Sequence, residues 1–341
     1  MHPYPRRAAD TTVTMKDVAL AAGVSTATVS RALRQPSSAA PATRIRVSAI
    51  AAAMDYTISP SAAALATGRS RTVAVVTPTV QHWFYSKVLE GATRALASRN
   101  YSLNIVLTNP NDEDSALGSS YNHVDAVITL GNATEQGRAA AQLKGSSLPR
   151  VAIGGRVPHG NSVRVDEQQL LAAAARHLRQ VGHERTALLI GDSYKWIDKG
   201  VSCPEILETP RESLSRSADE PRLLAFMQTR AIFDKLWARW APGPVAFICT
   251  SDEACVGIIL ECARRGLRIP EQVAIVSLEG SDLAATAGIT SILQHPSDQG
   301  ALAVQLLLDE LDEVSGTPAS VIAPFDLVIR SSSTSVMAAQ I

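Results

Sequence analysis

Between Thr14 and Leu33 the chain places two short apolar-periodic stretches on either side of a single glycine, and no other feature limits the fold as tightly. Thr14 with Asp17 three residues on is a helix-start signal: the hydroxyl can cap the helix, and the carboxylate can return a bond or favour its positive end. A helix is therefore predicted over 14–22. Gly23 stops it, because glycine takes the left-handed conformation of a helix end without steric cost. Ser25 caps a second helix over 26–33, with Val18, Leu20, Ala22, Val24, Val29 and Leu33 available for burial. A third helix, from Pro41 to about Met54, carries Ile45, Val47, Ile50 and Met54 at helical spacing and completes a small core. Two short helices about a tight glycine turn form a helix-turn-helix.

The second helix has little bulk on its outer face, where Thr26, Ala27, Ser30 and Arg31 stand. Such a thin surface can enter a DNA major groove about 12 Å wide. Arg31 is the candidate base reader, since its fork can bind guanine O6 and N7 together; Thr26 and Ala27 could read a thymine methyl or exclude neighbouring bases. Thr14, Ser25, Thr43 and Arg44 suit phosphates, which position a protein without reading sequence. Thr28 and Arg34 complete the candidate DNA-binding set on this helix. Charge agrees: residues 1–71 hold nine Lys/Arg against three acids, so in a chain balanced at 32 and 32 the remainder carries an acidic excess of six. A basic head on an acidic body fits a polyanion partner, double-stranded DNA here. On pattern alone, a three-helix bundle whose polar face only meets water stays open.

Residues 56–69 join head to body. Ser59 is an N-cap, Pro60 a favourable first helical residue and Gly68 an end signal, giving about two turns. Isolated helices below ~12–15 residues are marginal in water, so this one should fold only against something else. Ala62 and its neighbouring alanines permit close approach to a narrow groove, and Leu65 has the form of a wedge that unstacks a base step. The alternative is an Ala-rich linker with Leu65 tucked against the body.

From Arg71 onward, apolar runs at 72–76, 102–107, 126–130, 150–153, 186–190, 245–249 and 273–277 alternate with amphipathic stretches at 85–98, 170–180, 229–240, 254–265 and 299–313. Alternation of this kind predicts parallel sheets covered by helices, and its repetition predicts two lobes with a cleft at the carboxyl ends of the strands. The residues between Tyr194 and Glu220 are polar and aperiodic and read as a loop or divergent helix. Motifs for dinucleotide or phosphate binding, zinc proteolysis and serine hydrolysis are missing, so neither an enzyme nor a cofactor is expected. His177 and His183 read as helix-surface and loop residues without metal-ligand spacing. Cys203, Cys249, Cys255 and Cys262 lack the spacing of a zinc or redox site and read as small buried thiols. No apolar run approaches the ~18–20 residues of a membrane span, and the start, Met1-His2-Pro3-Tyr4-Pro5-Arg6-Arg7, lacks a signal peptide's apolar stretch. The expectation is a cytoplasmic chain with no membrane partner.

These residues also carry a resemblance. Met15-Lys16-Asp17-Val18-Ala19, Ala22-Gly23-Val24-Ser25 and Ala27-Thr28-Val29-Ser30-Arg31-Ala32-Leu33 resemble the DNA-binding head of the LacI/GalR family of bacterial transcription regulators. Trp83-Phe84-Tyr85, Val165-Asp166, Gly182-His183-Glu184-Arg185 and Thr250-Ser251-Asp252-Glu253 resemble its effector-binding core, so the likeness spans residues 14 to about 334. It implies an α/β fold: an N-terminal helix-turn-helix over 12–58, a hinge helix and linker over 59–70, and a two-lobed, periplasmic-binding-protein-like core with parallel sheets over 71–334. It implies that the hinge helices pair in the minor groove with Leu65 intercalating, that Trp83 and Phe84 wall the cleft, and that Asp166, Ser251, Asp252, Glu279 and Gln294 contact an effector. The sequence departs from the family at Arg34, usually Asn, and at Ser59, Ala63 and Ala64 in the hinge. In the core, Leu278-Glu279-Gly280 replaces Phe-Asp-Asp, and an Arg-x-x-Gly-Phe helix after Ile190 has no clear counterpart.

The combined expectation is a homodimeric, sequence-specific transcription regulator, read as a repressor, that binds a palindromic operator and responds to a small-molecule effector such as a sugar or related metabolite. The absence of a heptad-bearing helix before Ile341 sets the expected limit at a dimer. An effector-independent architectural DNA binder and a pure small-molecule binding protein are the alternatives.

Overall fold

The computed structural model describes residues 13–34, 39–57, 68–108, 123–131, 141–143, 145–154, 160–191, 211–214, 223–240, 243–313 and 319–334. Two compact units divide at Ser70 and Arg71.

The first unit holds α1 (Met15–Ala22), α2 (Thr26–Arg34) and α3 (Pro41–Ala53). The Asp17 carboxylate accepts the Thr14 backbone N–H at 2.8 Å and the Thr14 hydroxyl at 2.7 Å. Those bonds hold the Asp17 carboxyl below its ordinary range. Gly23 ends α1 at φ 62°, its N–H reaching the carbonyls of Ala19 and Leu20. The three helices close on Val18, Ala19, Ala22, Val29, Ala32, Val47 and Ala51. Two expected core residues lie elsewhere: Leu20 is 85% and Ile45 66% exposed. Each sits two residues from a fully buried valine, about 200° around the helix at 3.6 residues per turn, and so on the opposite face.

The second unit contains two six-stranded sheets. In the N-lobe, β1 (Thr72–Thr77), β2 (Ser102–Leu107), β3 (Ala126–Leu130), β4 (Arg150–Ile153) and β5 (Asn161–Arg164) run parallel, and β11 (Ser320–Ile322) adds to β5, giving the order β11-β5-β4-β3-β1-β2. In the C-lobe, β6 (Thr186–Gly191), β7 (Arg211–Leu214), β8 (Val245–Cys249), β9 (Val273–Ser277) and β10 (Thr290–Leu293) are joined by β12 (Asp326–Val328), antiparallel to β10, in the order β12-β10-β9-β8-β6-β7. The helices are α4 (Trp83–Ala97), α5 (Glu167–Gln180), α6 (Leu223–Trp240), α7 (Asp252–Arg265), α8 (Asp282–Thr286) and α9 (Pro296–Leu311).

Strand composition follows from burial on both faces. Val73 and Val75 of β1 point into one apolar layer with α4 and α9, while Ala74 and Val76 point into another. Ala246 and Ile248 of β8 meet α5 residues Leu171, Ala174 and Leu178, whereas Val245, Phe247 and Cys249 meet α6 and α7. A strand covered on both sides has no polar face to show, hence the unbroken apolar runs.

The chain passes between lobes around 165–166, 294–295 and 323–325. After β10 it enters α9, which packs on α4 and the N-lobe sheet. Two glycines bring these helices together: a Cβ on Gly91 would fall 1.9 Å from the Ser297 carbonyl oxygen, and one on Gly300 would fall 2.2 Å from that of Val88. Arg94 donates to the Ser297 hydroxyl across the same crossing at 2.7 Å.

Burial overturns the expectation that His177 lies on a helix surface, whereas His183 lies in a loop as expected. His177 and His183 are each only 5% exposed. The residues after β12 return to cover α5, and His177 Nε2 meets the Ser333 hydroxyl at 2.6 Å, itself 2.6 Å from Thr290 Oγ1. Burial pulls the pKa of both imidazoles below the usual histidine range. Cys249, Cys255 and Cys262 are buried thiols, and burial pushes Cys262 up to about 12. Cys203 lies outside the described residues. Among the described residues there is no helix long and apolar enough to cross a membrane and no cluster able to hold a metal ion.

Candidate functional site

In the head, the local sequence fixes the presentation of α2. Ser25 Oγ accepts the Thr28 backbone N–H at 3.2 Å and lies 2.9 Å from Thr28 Oγ1, so the serine caps the helix. Val29 and Ala32 are buried while Thr26, Ala27 and Arg31 are exposed and Ser30 is half-buried, so one side anchors the helix and the other faces outward. Arg31 Nε lies 3.4 Å from the Ala27 carbonyl one turn back, which lays the guanidinium along the outer face. Thr14 stands exposed at the start of α1, and Thr43 and Arg44 are half-buried in the first turn of α3. The side chain of Arg34 and residues Ser59, Ala62 and Leu65 lie outside what the structure describes.

In the body, a cavity opens beside the crossings, lined by His82, Phe84, Tyr85, Gly131, Gly154, Val165, Glu167, Leu170, Gln294 and Gln299. Gly131 and Gly154 directly follow β3 and β4, so the cavity sits at the carboxyl ends of N-lobe strands, where a doubly wound sheet leaves its crevice. Both glycines have positive φ, and a Cβ on Gly131 would fall 2.3 Å from the Tyr85 hydroxyl. Burial drives the Tyr85 phenol up to about 12, so it stays neutral. Gln299 Nε2 donates to the Gln294 carbonyl at 2.6 Å, and Gln294 Nε2 donates to the Leu278 carbonyl at 2.6 Å, tying α9 to the C-lobe loop after β9.

That loop carries a buried acidic network. Asp252 is 1% exposed, with Oδ2 accepting the Ser281 N–H at 2.7 Å and Oδ1 the Ser277 hydroxyl. Glu279 is 2% exposed, and its Oε2 accepts the Asp252 N–H at 3.1 Å, at the start of α7. Ser251 caps α7 by accepting the Ala254 N–H at 3.3 Å. Asp166 caps α5, accepting the N–H groups of Gln168 and Gln169 at 3.1 Å each.

Of the cleft residues expected from sequence, Phe84 and Gln294 line the cavity, and Asp252 and Glu279 are bonded to each other and are not among the lining residues. Asp166 and Ser251 serve as helix caps. Trp83 is half-buried with its indole N–H buried and unpartnered, and it is not among the lining residues. His82, Tyr85, Glu167 and Gln299 were not expected. The available signal was positional: each lies within three residues of a helix start.

Comparison with known proteins matches both units. The model described as "Bacterial regulatory proteins, lacI family" covers residues 14–59, and that described as "Periplasmic binding protein-like domain" covers residues 175–333. The HTH-type transcriptional repressor CytR of Escherichia coli is 28% identical over 337 residues, spanning 95% of this chain and 97% of the relative. Catabolite control protein A of Staphylococcus epidermidis is 27% identical over 335 residues, spanning 94% and 98%. Residues 14–59 are thus a lacI-family helix-turn-helix domain and residues 175–333 a periplasmic-binding-protein-like domain. These relatives are transcription regulators and not enzymes, and they support a DNA-binding regulator here. Its fold is that of the lac repressor: the dimer bound to operator and the anti-inducer ONPF matches with a TM-score of 0.76 at 21% identity, over 95% of this chain and 99% of that one.

Proposed function

We propose that this regulator is a homodimeric repressor that recognises a roughly palindromic operator through α2 and loosens its hold when a small molecule enters the interlobe cavity. The observation carrying this reading is the division of α2 into a buried side, Val29 and Ala32, and a thin exposed side, Thr26, Ala27 and Arg31. Such a helix can enter the major groove without disturbing its own core, and Arg31 supplies a bidentate reader for guanine. Thr14, Ser25, Thr43 and Arg44 hold phosphates in this reading. Two heads related by a dimer axis require a two-fold operator. Exposed apolar side chains on the body, Ile105 and Leu107 of β2 and Leu260 of α7, support a second copy as the partner.

The cavity supports the effector half. It touches the ends of two N-lobe strands and two of the crossings, so a ligand there meets the segments on which the lobes turn. A ligand shifts the balance only as far as it prefers one state; tenfold weaker operator binding requires ~1.4 kcal/mol of differential affinity. The hinge residues Ser59, Ala62 and Leu65 are assigned to the minor groove.

The test is genomic operator selection with purified protein at fixed salt, then titration of the recovered site with metabolites suggested by adjacent genes. A palindrome released by one compound supports both halves. A palindrome that no compound releases removes the effector, and no enrichment at all removes the specific reader.

A further inference from the structure

His82 and Glu279 face each other across the lobes. Glu279 lies in the C-lobe loop after β9, and its Oε1 is 3.8 Å from Nε2 of His82, at the N-lobe entrance to α4; the two side chains are 2% and 12% exposed. We propose that His82 is a built-in place-holder for a cationic or strongly donating group of the effector, and that an effector acts by displacing this imidazole from Glu279. The proposal rests on the reading of the cavity as the effector site and adds the ligand chemistry to it.

Three observations carry the inference. First, a buried carboxylate needs compensation. Glu279 Oε2 takes the Asp252 N–H at the start of α7, while Oε1 is turned toward the opposite lobe. Asp252, a second buried carboxylate, already draws on Ser277 and Ser281, so nearby negative charge makes a positive partner at Oε1 more favourable still. Second, His82 occupies the N-cap of α4, where Ser, Thr, Asp or Asn would normally stabilise the helix, yet its side chain makes no capping bond. Its ring lies instead against the buried Tyr85 ring, with centroids 5.1 Å apart, and reaches the other lobe. Third, His82 lines the cavity and Glu279 does not, so a ligand in the cavity meets His82, whose ring is the one 3.8 Å from Glu279. A group able to replace it must carry positive charge or donate a hydrogen bond, as an ammonium, an amidine or a protonated ring nitrogen does. A phosphate or carboxylate would meet Glu279 with like charge.

The decisive experiment uses the full chain and needs no natural effector. His82→Gly should speed backbone hydrogen exchange in segments 78–82 and 278–281 by about fivefold, as loss of roughly 1 kcal/mol of local stability does. Added imidazole at millimolar concentration should restore protection, acetate should not, and Glu279→Gln in the same chain should abolish the rescue. Failure of imidazole to restore protection, or rescue that persists without Glu279, overturns the proposal. Should His82→Gly not fold, a cycle of His82→Gln, Glu279→Gln and the double variant decides: less-than-additive losses support the contact, and additive losses overturn it. A metabolite screen that finds no ligand would remove the effector reading while leaving the imidazole result standing.

Discussion

The head and the body present their candidate sites in opposite ways. In the head, the outward residues Thr26, Ala27 and Arg31 stand off a core made of other residues, so the recognition proposed for them and stability fall to different side chains. In the body, Asp252, Glu279, Gln294 and Gln299 are at most 4% exposed and are bonded into the joints between elements. A regulator built this way can change the sequence it reads with little cost to folding, whereas a change of ligand puts the lobes themselves at risk.

The sharpest challenge to that contrast is Asp252→Ala. It leaves the Ser277 hydroxyl and the Ser281 N–H buried without their acceptor, and the expected loss is about 3 kcal/mol of body stability by denaturant titration. A loss below ~1 kcal/mol would mean that the carboxylate is available for a ligand after all. Gly300→Ala should come next, at about 2 kcal/mol, because its methyl meets the backbone of α4 rather than a side chain that can swing away. Arg31→Ala belongs at the other pole: unfolding should stay within about 0.5 kcal/mol of the parent, while discrimination at one operator base pair falls by ~1–3 kcal/mol. Equal loss of binding on every DNA sequence would recast Arg31 as a phosphate contact. The smallest effect is a pH dependence. His177 is held neutral by burial, so its folded pKa lies below the unfolded value; its stabilising contribution is complete above about pH 6.5 and is lost as the pH falls toward the folded value. Unfolding at pH 7.5 and 5.5, in the parent and in His177→Gln, should show a steeper acid loss in the parent.

What could be read from the sequence follows the same division. The bounds of β3, β4, β8 and β9 are those expected, because a nearly continuous apolar run between helices admits few other readings; those of β2 also match, although Ser102 and Asn104 interrupt its run. β11 and β12 have three residues each and no buried run, and α8 has five, all too short for a periodicity to register. α9 begins at Pro296, three residues earlier than expected; its first residue is a start signal that apolar spacing overlooks. In the head, counting apolar residues placed Leu20 and Ile45 inside, whereas helix geometry turns them out. The cleft was legible only in pieces. Phe84 and Gln294 are more than 200 residues apart, and no local pattern tells that His82 makes no capping bond and instead reaches Glu279.

The paired glycines at the α4–α9 crossing bear on how such a protein could be re-engineered. Since neither Gly91 nor Gly300 has room for a single added carbon, the two helices form an inseparable cassette. One helix of that cassette carries His82 and Phe84 at its start, and the other carries Gln294 and Gln299 on its approach and first turn. A chimaera that takes 82–97 from one parent and 294–311 from another would splice two halves of a lock cut for different keys, so the ligand preference of this fold should be inherited by transplanting both segments together.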